Sequence, residues 1–259
     1  MEGRRTAVRL RGEERPVLRA ALTLIVATTY VAGGLWLDRY VDRQEQLLLG
    51  VLTAAVLGAL LLLHPSAVRL QTLAVVGIAT MGEVVGSLVW GVYSYRLDNL
   101  PAFVPPGHGL VYLAGLSLAT VMARRPGVLI VLAGAGAVGW GIAGLTVLPA
   151  ADASGAMGCA FLVAVLVWTR RPVYAGVFVA VAALELYGTA IGTWTWKTVV
   201  PGLDLPQGNP PSGAASGYVV FDVLALALTT SGSVIAARIW WKLQRNSRTR
   251  AAEVQPTAS

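Results

Sequence analysis

Long apolar segments constrain this chain more than any other feature of its sequence. A helix that crosses a bilayer needs about 20 mostly apolar residues. The sequence offers eight such segments, at 17–37, 46–64, 68–93, 109–123, 127–148, 154–169, 173–195 and 217–240. Only 13% of the 259 residues are charged, whereas soluble domains carry about 25%. We therefore predict an all-α, polytopic membrane helix bundle with about eight transmembrane helices.

The distribution of Lys and Arg predicts the orientation. Basic residues are concentrated in the two ends of the chain, 1–16 and 241–259, and in the short turns at Arg69, Arg124, Arg125, Arg170 and Arg171. The opposite side holds only four basic residues: Arg39, Arg43, Arg96 and Lys197. Because cytoplasmic loops are enriched in Lys and Arg, we predict a cell-membrane protein with both termini in the cytoplasm. The segment 1–16 is expected to be a basic tail, and 241–259 a basic, disordered tail.

Two segments of the chain resemble each other. The third apolar segment carries Glu83, Gly86 and Gly91, and the seventh carries Glu185, Gly188 and Gly192. A proline-rich loop and a further apolar segment follow each of them, with Pro105-Pro106 in the first loop and Pro210-Pro211 in the second. We predict two parallel four-helix repeats, 17–124 and 125–240. Parallel repeats in membrane proteins bind ligands at their interface.

Glu83 and Glu185 are the leading candidates for catalytic residues. Each lies roughly ten residues, or about 15 Å, from the end of its helix, which is near the middle of a bilayer. A carboxylate at that depth costs several kcal/mol unless it is protonated, paired or wetted by a cavity. Small and hydroxyl residues share the same helix face. Two interpretations stay open: an acid pair that carries the chemistry, or polar groups that hold helices together.

Aromatic residues follow both glutamates. Trp90, Tyr93 and Tyr95 follow the first, and Trp194 and Trp196 follow the second. They fit an interfacial aromatic belt, or a substrate pocket whose ring faces stabilise a cation. Aromatic residues alternate with other residues at 93–95 and 194–196, which favours extended or irregular backbone. Inside a membrane such backbone is tolerated only where protein buries it or where it lines a cavity.

Polar residues near these segments complete the candidate site. His108 precedes the fourth segment, where it either caps the helix or shuttles protons. Asp222 is a third acid within an apolar segment. We predict catalytic roles for His108 and Asp222 beside the glutamates. The predicted substrate-binding residues are Trp90, Tyr93, Tyr95, Asp98, Asn99, Trp194, Trp196, Asn209 and Tyr218.

Several functional classes are not expected. Cys159 is the single cysteine and the chain has two histidines, His64 and His108, so no metal site is predicted. The net charge of +7 comes without a nucleic-acid recognition motif, and no nucleic-acid partner is expected. Nucleotide-binding, dinucleotide-binding and serine-hydrolase motifs are also missing from the sequence. The expected partners are the lipid bilayer and a hydrophobic or prenyl small molecule.

The stretch from Glu83 to Tyr95 resembles a motif of polytopic membrane enzymes of carotenoid biosynthesis. These are the membrane carotenoid hydratases and, more loosely, the lycopene cyclases and membrane terpene cyclases. The matching residues, which with their repeat cover about a tenth of the chain, are Glu83, Gly86, Gly91, Tyr93 and Tyr95, and then Glu185, Gly188, Gly192, Trp194 and Trp196. The resemblance implies an enzyme that protonates a double bond or epoxide of an isoprenoid, with a glutamate as the acid and no cofactor.

Two other functions remain open from the sequence. A proton-coupled transporter or carrier would use the two glutamates to bind protons or a cation between the repeats. A noncatalytic membrane partner or sensor would use them only structurally. Transport assays and assays for a change in a prenyl lipid separate these alternatives from the predicted cyclase or hydratase.

Overall fold

Helices form most of the chain that the structure describes. The structure is a computed structural model that describes residues 2–148 and 150–230, with side chains from residue 16 onward. In chain order the helices are α1 (Glu2–Asp38), α2 (Arg43–Leu62), α3 (Ser66–Glu83), α4 (Val104–Val121), α5 (Pro126–Thr146), α6 (Ala153–Thr169), α7 (Pro172–Ala190) and α8 (Ala214–Thr230). A π-helical turn, Val84–Val89, extends α3. The predicted all-α class is confirmed.

Five of the described helices are long and apolar enough to cross a membrane. They are Pro16–Asp38, Arg43–Leu62, Ser66–Val89, Pro126–Thr146 and Pro172–Ala190. The helices α6 and α8 are apolar but shorter over their described lengths. Large apolar side chains cover the outer surface, including Leu48 at 72% exposure and Trp168 at 89%. Exposure of such a large apolar surface to water is unfavourable, whereas contact with lipid is not. This is therefore a membrane protein.

The helix boundaries differ from the predicted segments in several places. The predicted tail 1–16 belongs to α1, which begins at Glu2. The predicted segments 68–93 and 173–195 run beyond the last helical residues, Val89 and Ala190. The tail 241–259 and residues 231–240 of the last predicted segment lie outside the described residues.

Two glycines explain why the third and seventh predicted segments end early. Gly91 has a φ of 70° and Gly192 a φ of 78°, a left-handed conformation that glycine adopts without steric cost. The chain turns out of the helix at each glycine and enters a short strand. These strands, β1 (Tyr93–Tyr95) and β2 (Trp194–Trp196), pair antiparallel, and β3 (Val199–Val200) pairs antiparallel with β4 (Leu205–Pro206). The alternating aromatics had predicted extended backbone here, and that prediction is confirmed.

Helix α4 is at the centre of the bundle. It packs against α1, α2, α3 and α7, and Leu110 and Leu113 have no exposed surface. Pro105 and Pro106 lie in its first turn, where the helix needs no backbone N–H donors. His108 therefore enters the core one turn below the start of the helix and is buried. The packing of α4 against α7 also brings His108 close to the helix that carries Glu185.

Two fully buried aspartates hold the loops that follow β1 and β2. Asp38, at the end of α1, accepts a hydrogen bond from Gln46 at 2.6 Å and pairs with Arg96, whose Nε lies 3.6 Å from Oδ2. Asp152 caps α6 and accepts hydrogen bonds from three backbone N–H groups, those of Gly155, Gly208 and Ser212. Both loops are thereby fixed over the same end of the bundle.

Candidate functional site

Both glutamates line one cavity of about 200 Å³ inside the bundle. Glu83 and Glu185 are 4% and 2% exposed, so the protein shields both carboxyls from lipid. The cavity wall is otherwise largely apolar and aromatic. Residues from α1, α2, α3, α4, α7, α8 and the β1–β2 ribbon line it, and its aromatic residues are Tyr30, Tyr93, Tyr95, Phe103, Trp194, Trp196, Tyr218 and Phe221.

The β1–β2 ribbon covers one side of the cavity with four aromatic side chains. In the ribbon, Tyr93 pairs with Trp196 and Tyr95 with Trp194. Alternate residues of a strand point to the same face, so all four aromatic side chains face the cavity together. Helices α3 and α7 each supply a carboxyl group, and the strand that follows each helix supplies two donors for that carboxyl.

Glu83 is held by two tyrosines of β1, and side chains of α8 and α4 lie near its other carboxyl oxygen. The hydroxyls of Tyr93 and Tyr95 donate to its Oε2 at 2.5 and 2.6 Å. The Tyr218 hydroxyl lies 3.4 Å from Oε1, which is long for a hydroxyl hydrogen bond. His108 Nε2 lies 3.3 Å from the same oxygen, within the distance of an ion pair but without hydrogen-bond geometry.

The two tyrosines of β1 act as donors toward Glu83. Both belong to the ribbon, outside the membrane-spanning helices. Burial, followed by the nearby Glu83 carboxyl, raises the pKa of Tyr93 and of Tyr95 above its ordinary value. Their hydroxyls therefore keep their protons at physiological pH and remain available as hydrogen-bond donors.

Glu185 is held in the same manner by two indoles. Trp194 Nε1 and Trp196 Nε1 both donate to Oε2, at 3.0 and 3.1 Å. Gly188 makes this arrangement possible, because a Cβ atom at that position would collide with the Trp194 ring. Since both indoles bind the same oxygen, Oε1 can carry a proton without disturbing either bond.

The π-helical turn explains a one-residue difference between the two glutamate segments. The donors follow Glu83 by 10 and 12 residues, but they follow Glu185 by 9 and 11 residues. A π-helical turn accommodates one extra residue within an α-helix, and such turns are frequent at functional sites. The turn begins directly after Glu83. It thereby lets two segments of unequal length present equivalent donors to their carboxyls.

Helices α4 and α8 also contribute to the cavity at equal spacings. The lining positions are Val104, Gly107, His108 and Val111 on α4, and Ala214, Gly217, Tyr218 and Phe221 on α8. His108 and Tyr218 occupy corresponding places in these two sets. Their ring centroids are 5.4 Å apart, and both rings lie next to Glu83. The two helices thus place an imidazole and a phenol at one carboxyl.

The structure brings together eight of the thirteen predicted site residues and places the other five outside the cavity. Trp90 is 46% exposed and donates to the Pro201 carbonyl, and Asp98 is exposed in a turn. Asn99 donates to Gln46, and Asn209 accepts from the backbone of Trp196. Asp222 is buried one turn beyond Tyr218, and its Oδ2 has no hydrogen-bond partner among the described residues.

Several residues of the cavity wall were not identified from the sequence. Tyr30 on α1 and Thr53 on α2 line the cavity, and their hydroxyl oxygens are 2.9 Å apart. Polar side chains within apolar segments were the signal that could have identified them. The apolar lining residues, such as Leu35 and Leu49, carry no comparable signal, because leucine occurs throughout transmembrane helices.

The arrangement suits proton transfer to an apolar molecule. Two carboxyls, an imidazole, four phenols and two indoles face a space whose wall is otherwise largely apolar, and four of these rings belong to the ribbon. Such a site binds hydrophobic compounds and orients them with few polar contacts.

Comparison with protein-family models, with curated proteins and with solved structures gives no match to this chain.

Proposed function

We propose that this protein is an integral membrane enzyme that acts on an isoprenoid or similar lipid by proton transfer, as a cyclase or hydratase. The observation that carries the proposal is the pair of buried carboxyls in one aromatic, apolar cavity. A water-soluble substrate would need more polar contacts than this largely apolar wall offers. An acyclic prenyl lipid fits its chemistry and reaches it through the bilayer.

Glu185 is the proposed acid. Its Oε2 accepts from both indoles, so a proton on Oε1 is free to move to a substrate double bond. The O–H bond breaks as a C–H bond forms, which leaves a carbocation on the substrate and a carboxylate on Glu185. General acid catalysis of this kind contributes typically 10²- to 10⁴-fold to a rate.

Aromatic rings are proposed to stabilise the carbocation. The faces of tryptophan and tyrosine attract a cation within about 6 Å of the ring centroid. Rings of Tyr93 and Trp196 have centroids 4.5 Å apart, and together with Tyr95 and Trp194 they line the cavity. A cation formed near Glu185 therefore lies among aromatic side chains and is screened from lipid.

Glu83, with His108, is the proposed base that ends the reaction. In a cyclisation a second double bond attacks the cation, and Glu83 then removes a proton from the cyclised cation, so that the neutral product has the mass of the substrate. Return of that proton to Glu185 restores the starting state. In a hydration, water adds to the cation and loses its proton to Glu83 or His108. His108 Nε2 and the Tyr218 hydroxyl both lie near Oε1 of Glu83, which gives that oxygen two neighbours through which protons can move.

The topology proposed for the enzyme has eight spans arranged as two parallel four-helix repeats in the cell membrane. Equivalent donors on the strands β1 and β2, and equal spacings on α4 and α8, support the repeats. The basic residues near both ends of the chain support cytoplasmic termini. Under this topology the ribbon and its loops lie on the outer side of the membrane.

Reporter fusions test this topology. Alkaline phosphatase inserted after Asp204, in the loop that follows β2, is expected to be active because it would be exported. Green fluorescent protein fused to the C-terminus is expected to fluoresce, and phosphatase at the same point is expected to be inactive. Phosphatase activity at the C-terminus would contradict the even number of spans.

The enzyme activity is tested with the purified protein in nanodiscs. We expect one of three acyclic probes, geranylgeraniol, squalene or lycopene, to yield a product of unchanged mass and new retention time, or a product heavier by one water. The Glu185→Gln variant is the control for background chemistry. Recovery of all three probes unchanged under acidic and neutral conditions would contradict the proposed function.

A proton-coupled carrier is the second candidate, and one observation favours it. Each half of the chain contributes one carboxyl to a single cavity, as expected for a binding site at a repeat interface. Liposomes that hold the protein would then show uptake of an apolar cation, such as tetraphenylphosphonium, driven by a proton gradient. Gradient-driven uptake without product formation favours the carrier, and product formation without uptake favours the enzyme.

A further inference from the structure

A second cavity lies between α1, α4 and α7 and has a volume of about 240 Å³. Alanines and aliphatic residues form most of its wall, with Ala114 of α4 and Ala180 of α7 among them. The wall runs along α7 from Ala180 to Tyr187, which is about 10 Å at 1.5 Å per residue. The cavity is therefore elongated along the bundle and is not explained by the proposed chemistry at the two glutamates.

The two cavities share part of their walls. Val31 of α1, Val111 of α4 and Leu184 of α7 line both of them. Leu184 directly precedes Glu185, and Val111 lies one turn beyond His108. These three aliphatic side chains form the boundary between the two cavities, so a molecule that occupies both must pass between them.

The second cavity faces the lipid between α1 and α7. Ala32 of α1 and Ala183 of α7 are exposed, whereas Leu110 on the opposite wall has no exposed surface. Small side chains at the two exposed positions keep the mouth of the cavity wide. A lipid-dissolved chain thus has a lateral route into the bundle at this place.

The polar groups in the second cavity are satisfied by the protein. Thr28 donates its hydroxyl proton to the Leu24 carbonyl of its own helix at 2.7 Å. Tyr187 donates to the Ala32 carbonyl at 3.3 Å, which also links α7 to α1 beside the opening. Neither hydroxyl therefore needs a ligand as an acceptor for its proton, and an apolar ligand fits such a wall without cost to either group.

We propose that the second cavity binds the hydrocarbon tail of the substrate while its reacting double bond lies between Glu83 and Glu185. This inference rests on the proposed function and deepens it, because it assigns a substrate with a single long unbranched or prenyl chain. The hydrocarbon chain of the substrate enters laterally from the bilayer between α1 and α7. A bulky fused-ring lipid would not pass between the three shared side chains.

Binding measurements that need no turnover test the tail site. Geraniol and geranylgeraniol are titrated into the protein in nanodiscs, with quenching of tryptophan fluorescence as the signal. In the unmodified protein geranylgeraniol is expected to bind at least tenfold more tightly than geraniol at equal mole fraction in the bilayer, because its longer tail gains packing contacts with the wall of the second cavity. Ala183→Leu and Ala32→Leu are expected to remove most of that difference and to leave geraniol binding unchanged.

Ala55→Leu is the matched control, because Ala55 is exposed on α2 and lines neither cavity. It should keep the full difference between the two probes. A photoreactive group on the terminal carbon of geranylgeraniol should label α1, α4 or α7. Labelling elsewhere, or an equal loss of both probes in Ala183→Leu, would overturn the proposal. Tail-dependent binding without any product would instead count against the proposed function alone.

Discussion

Glu185→Gln is expected to lower the rate of product formation by at least roughly 100-fold, the lower end of the contribution of general acid catalysis. The glutamine oxygen still accepts hydrogen bonds from the indoles of Trp194 and Trp196, so the cavity keeps its shape. The amide N–H groups are far too weakly acidic to protonate a double bond, however. Glu83→Gln is expected to cause a comparable loss, because the tyrosines of β1 then hold a group that cannot accept the product's proton. Both effects are measured by mass spectrometry as the rate of conversion of the acyclic probe that the unmodified protein converts.

Asp204→Asn is the matched control for the charge change. Asp204 is exposed and has a φ of 50°, a conformation that asparagine tolerates. This variant should retain full activity. Thermal unfolding in detergent should show that all three variants remain folded. Full activity in both glutamate variants would show that the carboxyls serve only to hold helices together, which was the alternative left open by the sequence.

Asp152→Ala is expected to destabilise the protein by about 3 kcal/mol or more, because it leaves buried donors without an acceptor. Asp152 is fully buried and accepts from the backbone N–H groups of Gly155, Gly208 and Ser212, at 3.1, 2.9 and 2.7 Å. Alanine replaces none of these bonds. The loop that leads from β2 to α8 is then no longer fixed over α6. A lower midpoint of thermal unfolding in detergent measures the effect.

Asp42→Ala provides the comparison for this prediction. Asp42 also caps a helix, through the N–H groups of Gln44 and Glu45, but these groups are exposed to solvent. Its loss should cost only about 1 kcal/mol, the usual value for an N-cap. Asp152→Asn retains acceptor capacity and should fall between the two alanine variants. Equal midpoints for Asp42→Ala and Asp152→Ala would contradict the anchoring role of Asp152.

The anchoring of the loops also bears on the proposed chemistry. Asp38 and Asp152 fix the two loops that continue from β1 and β2, and those strands hold the donors for Glu83 and Glu185. A carboxyl in a low-dielectric site depends on donors that are already in place. The stability of the loops and the geometry of the acid pair are therefore coupled, although each aspartate lies outside the cavity.

The sequence by itself determined the class of the protein and its two central residues. Lipid as a solvent demands long apolar helices with few charges, and this demand is visible in composition without any knowledge of packing. A carboxyl within such a segment is costly, so Glu83 and Glu185 are conspicuous wherever their helices lie. The alternation of Tyr93 and Tyr95, like that of Trp194 and Trp196, depends only on local strand periodicity.

Only the tertiary structure decided which residues share the cavity. The pairing of β1 with β2 joins residues about a hundred positions apart, and no local pattern specifies it. The rotation of each packed helix turned His108 and Tyr218 toward Glu83 and left Asp222 one turn away. The second cavity between α1, α4 and α7 likewise arises from contacts between distant segments. Helix packing sets such contacts through the shapes of many side chains at once, and their joint effect is not written in any single stretch of sequence.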